Sequence, residues 1–165
     1  MKHALNTSQA REMDLDGFDI ALLAALQRDG SLTNAALAEV VNLSASQCSR
    51  RRAALEKAGI IDGYSARLNA TSLGFGLRAI IRVNLSSHGQ SKEDDFARFV
   101  ASHPQIRSAF SVSGDADYVL DIRARDLDAF ADFIHRHLLP HPQVAQVRSE
   151  IVLKTLKDDR GIPLR

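Results

Sequence analysis

Apolar residues recur at helical spacing three times before residue 60, and in alternation in several stretches after it. Between residues 14 and 28, Ile20, Leu23, Ala24 and Leu26 form a stripe that Phe18 and Leu22 widen. Asp16 stands where an N-cap accepts from free helix N–H groups. Asp19, three residues on, completes a box-like arrangement in which Asp takes the usual place of Glu. Asp29 and Gly30 break this helix, and Thr33 is placed to cap a second, short one whose apolar positions lie in 35–41. Asn42 and Leu43 fit a tight turn, after which either Ser44 or Ser46 can cap a third helix. Cys48, Arg52, Leu55 and Gly59 line the inner side of that helix, with Ala45, Arg51 and Ala58 close by. Ser46, Gln47, Ser49, Arg50 and Ala53 make its outer face. Burying an unpaired guanidinium is costly, so the stem of Arg52 is expected to cover the core while its charge reaches out. Gly59 ends the helix and Ile60-Ile61 return the chain to the core.

Residues 1–13 are polar and aperiodic, and read as a loose arm. Tyr64, Ala66 and Leu68 alternate with polar residues, which predicts a short hinge strand in a linker at 64–76; alone it has unpaired edges and suits pairing with its counterpart from another subunit. From Leu77 the order is strand (77–86), helix (93–101, capped near Ser91), strand (107–112), strand (118–123), helix (127–138) and strand (144–156). His103-Pro104-Gln105-Ile106 after the first of these helices is echoed by His141-Pro142-Gln143-Val144 after the second, the symmetry of a split βαβ unit in which each proline stops a helix before a strand begins. The domains expected are thus a helical one at 14–63, the linker, an α+β one at 77–157 and a tail at 158–165. Two helices cover one face of a four-stranded sheet. Val83, Leu85, Val119, Ile122, Ile151 and Val152 place apolar groups on both, so the second face is expected to meet another subunit.

Charge changes this picture locally. The 165 residues carry a net charge of only +1, and residues 1–70 balance to zero, but the third helix sets Arg50, Arg51, Arg52 and Lys57 against Glu56 alone. Two short helices around a turn, the second basic, form a helix-turn-helix suited to the major groove of double-stranded DNA. A lone copy with so local a charge binds weakly, which favours oligomers presenting several such helices. Cys48, the single cysteine, excludes an internal disulfide and reads as a small buried hydrophobe. Without an early apolar run, the expected setting is cytoplasmic, with no membrane span. The six histidines do not converge: His103 and His141 occupy the repeated turns, and His135 and His137, two apart on a helix, face different ways, so no metal or other cofactor is expected. Nor do Asp115 and Asp117, alternating in a turn with no nucleophile or base beside them, make an enzyme.

From Leu15 to Lys157 the chain resembles the Lrp/AsnC (leucine-responsive and asparagine-responsive, or feast/famine) transcriptional regulators. The resemblance rests on Leu15-Asp16-Gly17-Phe18-Asp19, on Cys48, Arg51 and Leu55-Glu56, on Gly59-Ile60-Ile61 with Gly63-Tyr64, and most specifically on Gly114-Asp115-Ala116-Asp117-Tyr118, similar to the family's G-D-x-D-Y signature. It implies an N-terminal winged-type helix-turn-helix joined by a hinge strand to a C-terminal ferredoxin-like βαββαβ ligand-sensing domain. It further implies dimers built through the sheets and gathered as tetramers or octamers, and a small effector, usually an amino acid, bound between subunits. By the same resemblance Ser44, Ser46, Gln47, Ser49, Arg50 and Arg51 contact DNA, and Gly114, Asp115, Asp117 and Tyr118 form the sensor turn; Arg52, where relatives carry Val or Ile, is added because relatives often have a basic side chain just after it, where this chain has Ala53 and Ala54, which shifts phosphate contacts onto Arg50 and Arg52. Many relatives also have prolines beside the equivalents of Ser44 and Gln47. Near Gly114, backbone N–H groups suit an amino acid's carboxylate, and Asp115 or Asp117 its ammonium; the same two carboxylates also suit plain capping of a hairpin turn. The function expected is a sequence-specific regulator, nucleoid-associated, whose assembly answers to an effector. A low-specificity architectural DNA protein and a stand-alone amino-acid sensor fit the same residues.

Overall fold

The computed structural model describes residues 14–86, 89–158 and 161–164, so the arm expected at 1–13 lies outside the described residues. The described residues form two compact units, one of residues 14–67 with 161–164 and the other of 68–86 with 89–158.

In the first unit, helices α1 (Gly17–Arg28), α2 (Asn34–Val41) and α3 (Ala45–Lys57) follow the capping signals closely. The Asp16 carboxylate accepts from the Phe18 and Asp19 N–H groups, and Asp19 reaches back to the Asp16 N–H, so the all-Asp box forms. Thr33 caps α2 through the Ala36 N–H, and Asn42 takes the left-handed conformation (φ 54°) that turns the chain into α3. Leu22, Leu23, Ala25, Leu26, Leu37, Val41, Cys48 and Leu55 form the core. The inward stripe of α1 is rotated from expectation: Ala25 is buried, Ile20 and Ala24 sit at the margin, and Phe18 is 45% exposed. The Phe18 ring lies instead under the Arg51 guanidinium. The tail also has a seat: Gln27 both donates to the Ile162 carbonyl (2.8 Å) and accepts from its N–H (2.9 Å), and Leu164 packs on the core.

No strand occurs among the described residues of this unit, so the hinge strand expected from Tyr64 is not formed within the chain. Within one chain that segment has no ladder partner, and the backbone goes on into a tight turn at Thr71–Leu73 ended by Gly74 at φ 82°.

The second unit is a four-stranded sheet of order β2-β3-β1-β4, every neighbouring pair antiparallel: β1 (Leu77–Leu85), β2 (Ile106–Ser111), β3 (Tyr118–Ala124) and β4 (Val144–Ile151). With α4 (Gln90–Ser102) after β1 and α5 (Leu127–Phe133, prolonged by a wider turn at Ile134–Leu138) after β3, this is the ferredoxin-like βαββαβ order. Helix α4 begins after Gly89 rather than near Ser91. Strand β4 ends at Ile151 rather than at residue 156, because the chain leaves the ladder there although β1 continues to Leu77: Ile151 pairs with Ala79, the Val152 N–H makes one more bond to the Arg78 carbonyl, and Leu153 and Leu156 are left 95% and 87% exposed.

Ala79, Ile81, Val83 and Leu85 alternate inward beside Leu120, Ile122 and Ala124, and are covered by Phe96 of α4 and Phe130, Phe133 and Leu138 of the second helix. A bulge between Asn84 and Leu85 lets Val144 and Val147, three apart, both reach this core. The opposite face is more polar than expected. Val83, Leu85 and Ile122 are all buried in the core, and the register puts Ile151 on the same side, so Val119 must share the open face with Arg78, which holds Asp121 at 2.6 Å, and Arg82, 3.4 Å from Glu150.

The repeated His-Pro-Gln turns are built alike: Ile106 N–H donates to the His103 carbonyl, and Val144 N–H to that of His141. Their rings join an aromatic cluster in which His103 lies 4.2 Å from Phe99 and 5.3 Å from His137, and His141 lies 4.8 Å from Phe99 and 5.7 Å from Phe96 (centroid distances). Burial lowers the His141 pKa below its ordinary value, with the nearby His103 adding to this and Asp95 opposing it. A base so depressed binds fewer protons folded than unfolded, so its stabilising share is intact above about pH 6.5 and is lost as pH falls through the lowered value. Melting temperature should therefore drop between about pH 7 and about pH 5, and the drop should shrink in His141→Phe, which keeps a ring against Phe96 and Phe99. An identical acid slope in the variant would count against this role.

Candidate nucleic-acid interface and effector site

Helix α3 is presented by its own cap. Ser44, rather than Ser46, takes the N-cap: its hydroxyl accepts from the Gln47 N–H at 3.2 Å, and the Gln47 side-chain carbonyl accepts from the Ser44 N–H at 2.9 Å. This Ser-to-Gln box occupies the Ser44 hydroxyl and the side-chain carbonyl of Gln47, itself an exposed residue. It also holds the start of the helix. The Ser46 hydroxyl lies 3.0 Å from that of Ser44, on an exposed surface.

The three arginines diverge. Arg50 is exposed, as is Ser49 beside it. Arg51 turns back to α1, where its guanidinium meets Asp19 at 2.8 Å and Asp16 at 2.9 Å and lies over the Phe18 ring, 5.6 Å from its centroid. The Asp19 hydrogen bond is the chief cause that raises the Arg51 pKa, while Asp16 is lowered first by the Asp19 backbone N–H and then by Arg51. Arg52 also turns inward, toward Leu32, Glu56 and Tyr64. Of the seven residues expected at DNA, Ser46, Ser49 and Arg50 thus share the outer face, while Ser44, Gln47, Arg51 and Arg52 are bound within the unit.

In the second unit the Gly114 turn is fastened to β1. The Asn84 amide donates to the Asp115 carbonyl at 3.0 Å and accepts from the Asp117 N–H at 3.2 Å; the Asp117 carboxylate accepts from the Leu85 N–H at 2.8 Å, beside the bulge. Gly114 has φ 133°, a conformation L side chains rarely adopt, although a Cβ there would meet nothing. Tyr118 faces the core, its ring 4.9 Å from Phe96, and burial raises its pKa, with Glu93 and Asp117 adding to the shift. Asp115 is left at the rim of a small open recess of about 40 Å³ with Arg82, Asn84, Gln146 and Arg148. These last four were not singled out from sequence. The signal was present, since Arg82 with Asn84 and Gln146 with Arg148 recur at alternate positions of β1 and β4, but such a pattern is also that of a solvated face. Among the described residues, no group of three His, Cys, Asp or Glu side chains could hold a metal, and no helix is long and apolar enough to cross a membrane.

These two sites coincide with two family models: that of the winged helix-turn-helix DNA-binding domain matches residues 15–62, and that of the Lrp/AsnC ligand binding domain matches residues 78–162. A leucine-responsive regulatory protein of Rhizobium meliloti is 40% identical over 146 residues, covering 88% of this chain and 94% of that protein. The leucine-responsive regulatory protein of Escherichia coli K12 is 32% identical over 152 residues, covering 92% and 93%. A Neisseria meningitidis transcriptional regulator, solved as a complex with L-Met, superposes with a TM-score of 0.88 at 41% identity over 91% of this chain and 97% of its own. An AsnC-family regulator from Agrobacterium tumefaciens gives 0.86 at 27% identity, with the same coverage. With matches in both units and along nearly the full length of its relatives, the chain belongs to the Lrp/AsnC family of transcriptional regulators.

Proposed function

We propose that this DNA-binding transcriptional regulator reads duplex DNA through the outer face of α3, with Ser46, Ser49 and Arg50 as its contacts, and is retuned by an amino acid or related metabolite held beside the Gly114 turn. The observation that carries the effector reading is the meeting of opposite charges around one recess: Arg82 and Arg148 against Asp115, with two side-chain amides between them. A free amino acid is a zwitterion, so its carboxylate suits the guanidinium groups and its ammonium suits Asp115. Ligand pockets commonly span roughly 300–1,000 Å³. A recess of about 40 Å³ therefore needs a second copy of the chain to close it. The half-exposed Phe110 and Val112 near the edge of the sheet, with the polar open face, offer the surface for a homodimer, and further assembly to tetramers or octamers would multiply the effective concentration of recognition helices on one duplex. The ligand shifts that assembly only by binding one arrangement better than another. A place on the nucleoid accords with the same reading. The relatives' names and the L-Met complex favour a small apolar amino acid as effector here.

Arg50→Ala should weaken binding to all duplexes several-fold and reduce the slope of log affinity against log salt by about one for each helix engaged; an unchanged gel-shift affinity across a salt series would remove Arg50 from the interface. Titration calorimetry with L-methionine and L-leucine should show uptake that is lost in Asp115→Asn and Arg148→Ala and in Gly114→Val, whose backbone strain distorts the turn, while DNA affinity without effector stays within about twofold. Normal uptake by all three variants would place the effector elsewhere. Genome-wide occupancy separates the rivals: discrete sites fit the regulator, broad coverage an architectural protein.

A further inference from the structure

The sequence makes Arg52 look like the third member of a phosphate-binding run, but its geometry gives it other work. Its Nε donates to the Tyr64 hydroxyl at 2.8 Å and to the Glu56 carboxylate at 3.2 Å, and one terminal N–H donates to the Leu32 carbonyl at 3.2 Å. The Tyr64 hydroxyl donates in turn to the same Glu56 oxygen at 2.8 Å, closing a triangle, and the guanidinium carbon lies 4.5 Å from the Tyr64 ring centroid. Gly30 completes the seat. The Tyr64 ring lies so close to its backbone that a Cβ there would come within 3.1 Å of Cδ1. Three segments therefore converge on one side chain: the turn between α1 and α2 at Gly30 and Leu32, α3 itself at Glu56, and the segment leaving the unit at Tyr64. The side chain of Arg52 is only 22% exposed, and turning it toward DNA would break three charge-assisted bonds at once. The two partners hold Glu56 below the usual carboxylate range, the Tyr64 hydroxyl first and Arg52 second.

We propose that Arg52 is a positioning residue for DNA reading: with Glu56 and Tyr64 it latches the exit segment and the α1–α2 turn onto α3, and so fixes the angle at which Ser46, Ser49 and Arg50 meet the groove. The proposal rests on the DNA-reading role given to α3. Arginine is required there because it supplies a planar face for the ring together with donors in two directions, which lysine lacks.

The test uses the full chain, a duplex selected by the wild-type protein from a random library, and a scrambled duplex of equal length. Tyr64→Phe, Arg52→Gln and Arg52→Lys should each weaken binding to the selected duplex about five- to tenfold, leave binding to the scrambled duplex within about twofold, and leave the salt slope of the wild type unchanged. The Tyr64→Phe/Arg52→Gln double variant should be no weaker than the worse single one, since both break the same latch. Tyr64→Phe keeps the ring on Gly30, so loss of fold does not account for its effect. A salt slope reduced by about one in Arg52→Gln with Tyr64→Phe silent would make Arg52 a phosphate contact and overturn the proposal. Full binding by Arg52→Lys, or wild-type binding by all variants, would overturn it as well. If the wild type itself bound both duplexes equally, the DNA-reading role would fail first, and the latch with it.

Discussion

Two carboxylates at the start of α1 each satisfy two demands at once. Asp16 accepts from the Phe18 and Asp19 N–H groups through Oδ1 and Asp19 from the Asp16 N–H through Oδ2, and the other oxygen of each carboxylate faces Arg51 from α3. A helix N-terminus already favours negative charge, and a guanidinium favours it further. The result joins the beginning of the first helix to the middle of the recognition helix through groups that neither helix could leave unpaired at low cost. Everything that α3 offers outward depends on this, because a helix of 13 residues with only Cys48 and Leu55 buried has little apolar surface of its own to hold its rotation. Phe18, out of place as a core residue, lies under the same guanidinium.

Legibility in the sequence followed the range of the forces involved. Caps were readable because they act over three residues: Asp16 with Asp19 and Thr33 lie where local chemistry asks for them, while the choice between Ser44 and Ser46 was decided only by the bond pairing Ser44 with Gln47. The ferredoxin-like order was readable from alternation and from the repeated His-Pro-Gln turns. Partnership across distance could not be read. Arg51 with Asp19 is separated by 32 positions and Asn84 with Asp115 by 31, so the sequence offers an arginine run and a solvated strand where the fold has two fastenings. The end of β4 was overestimated for the same reason. Alternation persists past Ile151 in the chain, but the ladder to β1 ends with the bond from the Val152 N–H to the Arg78 carbonyl.

In the α+β unit, rigidity and exposure are divided within one turn. Asn84 and Asp117 tie the hairpin to β1 on both sides of the bulge, and Tyr118 anchors its far end in the core. Asp115 alone of the acidic pair lines the recess. A turn held so firmly at its base can present one carboxylate opposite two guanidinium groups without reorganising, which is the condition for small ligands to bind with useful affinity. The same bonds tie Asp115 directly to β1, the strand paired with both β3 and β4.

The seating of Ile162 against Gln27 has its own consequence for connectivity. The backbone passes from the helical unit into the sheet unit after Arg67 and returns to it after Asp158, so the sheet unit is threaded into the helical one as an insertion, not appended as a pendant. The helical unit is thereby closed by residues from both ends of the described chain, and loss of the tail would take the Gln27 pairing and Leu164 away from its core.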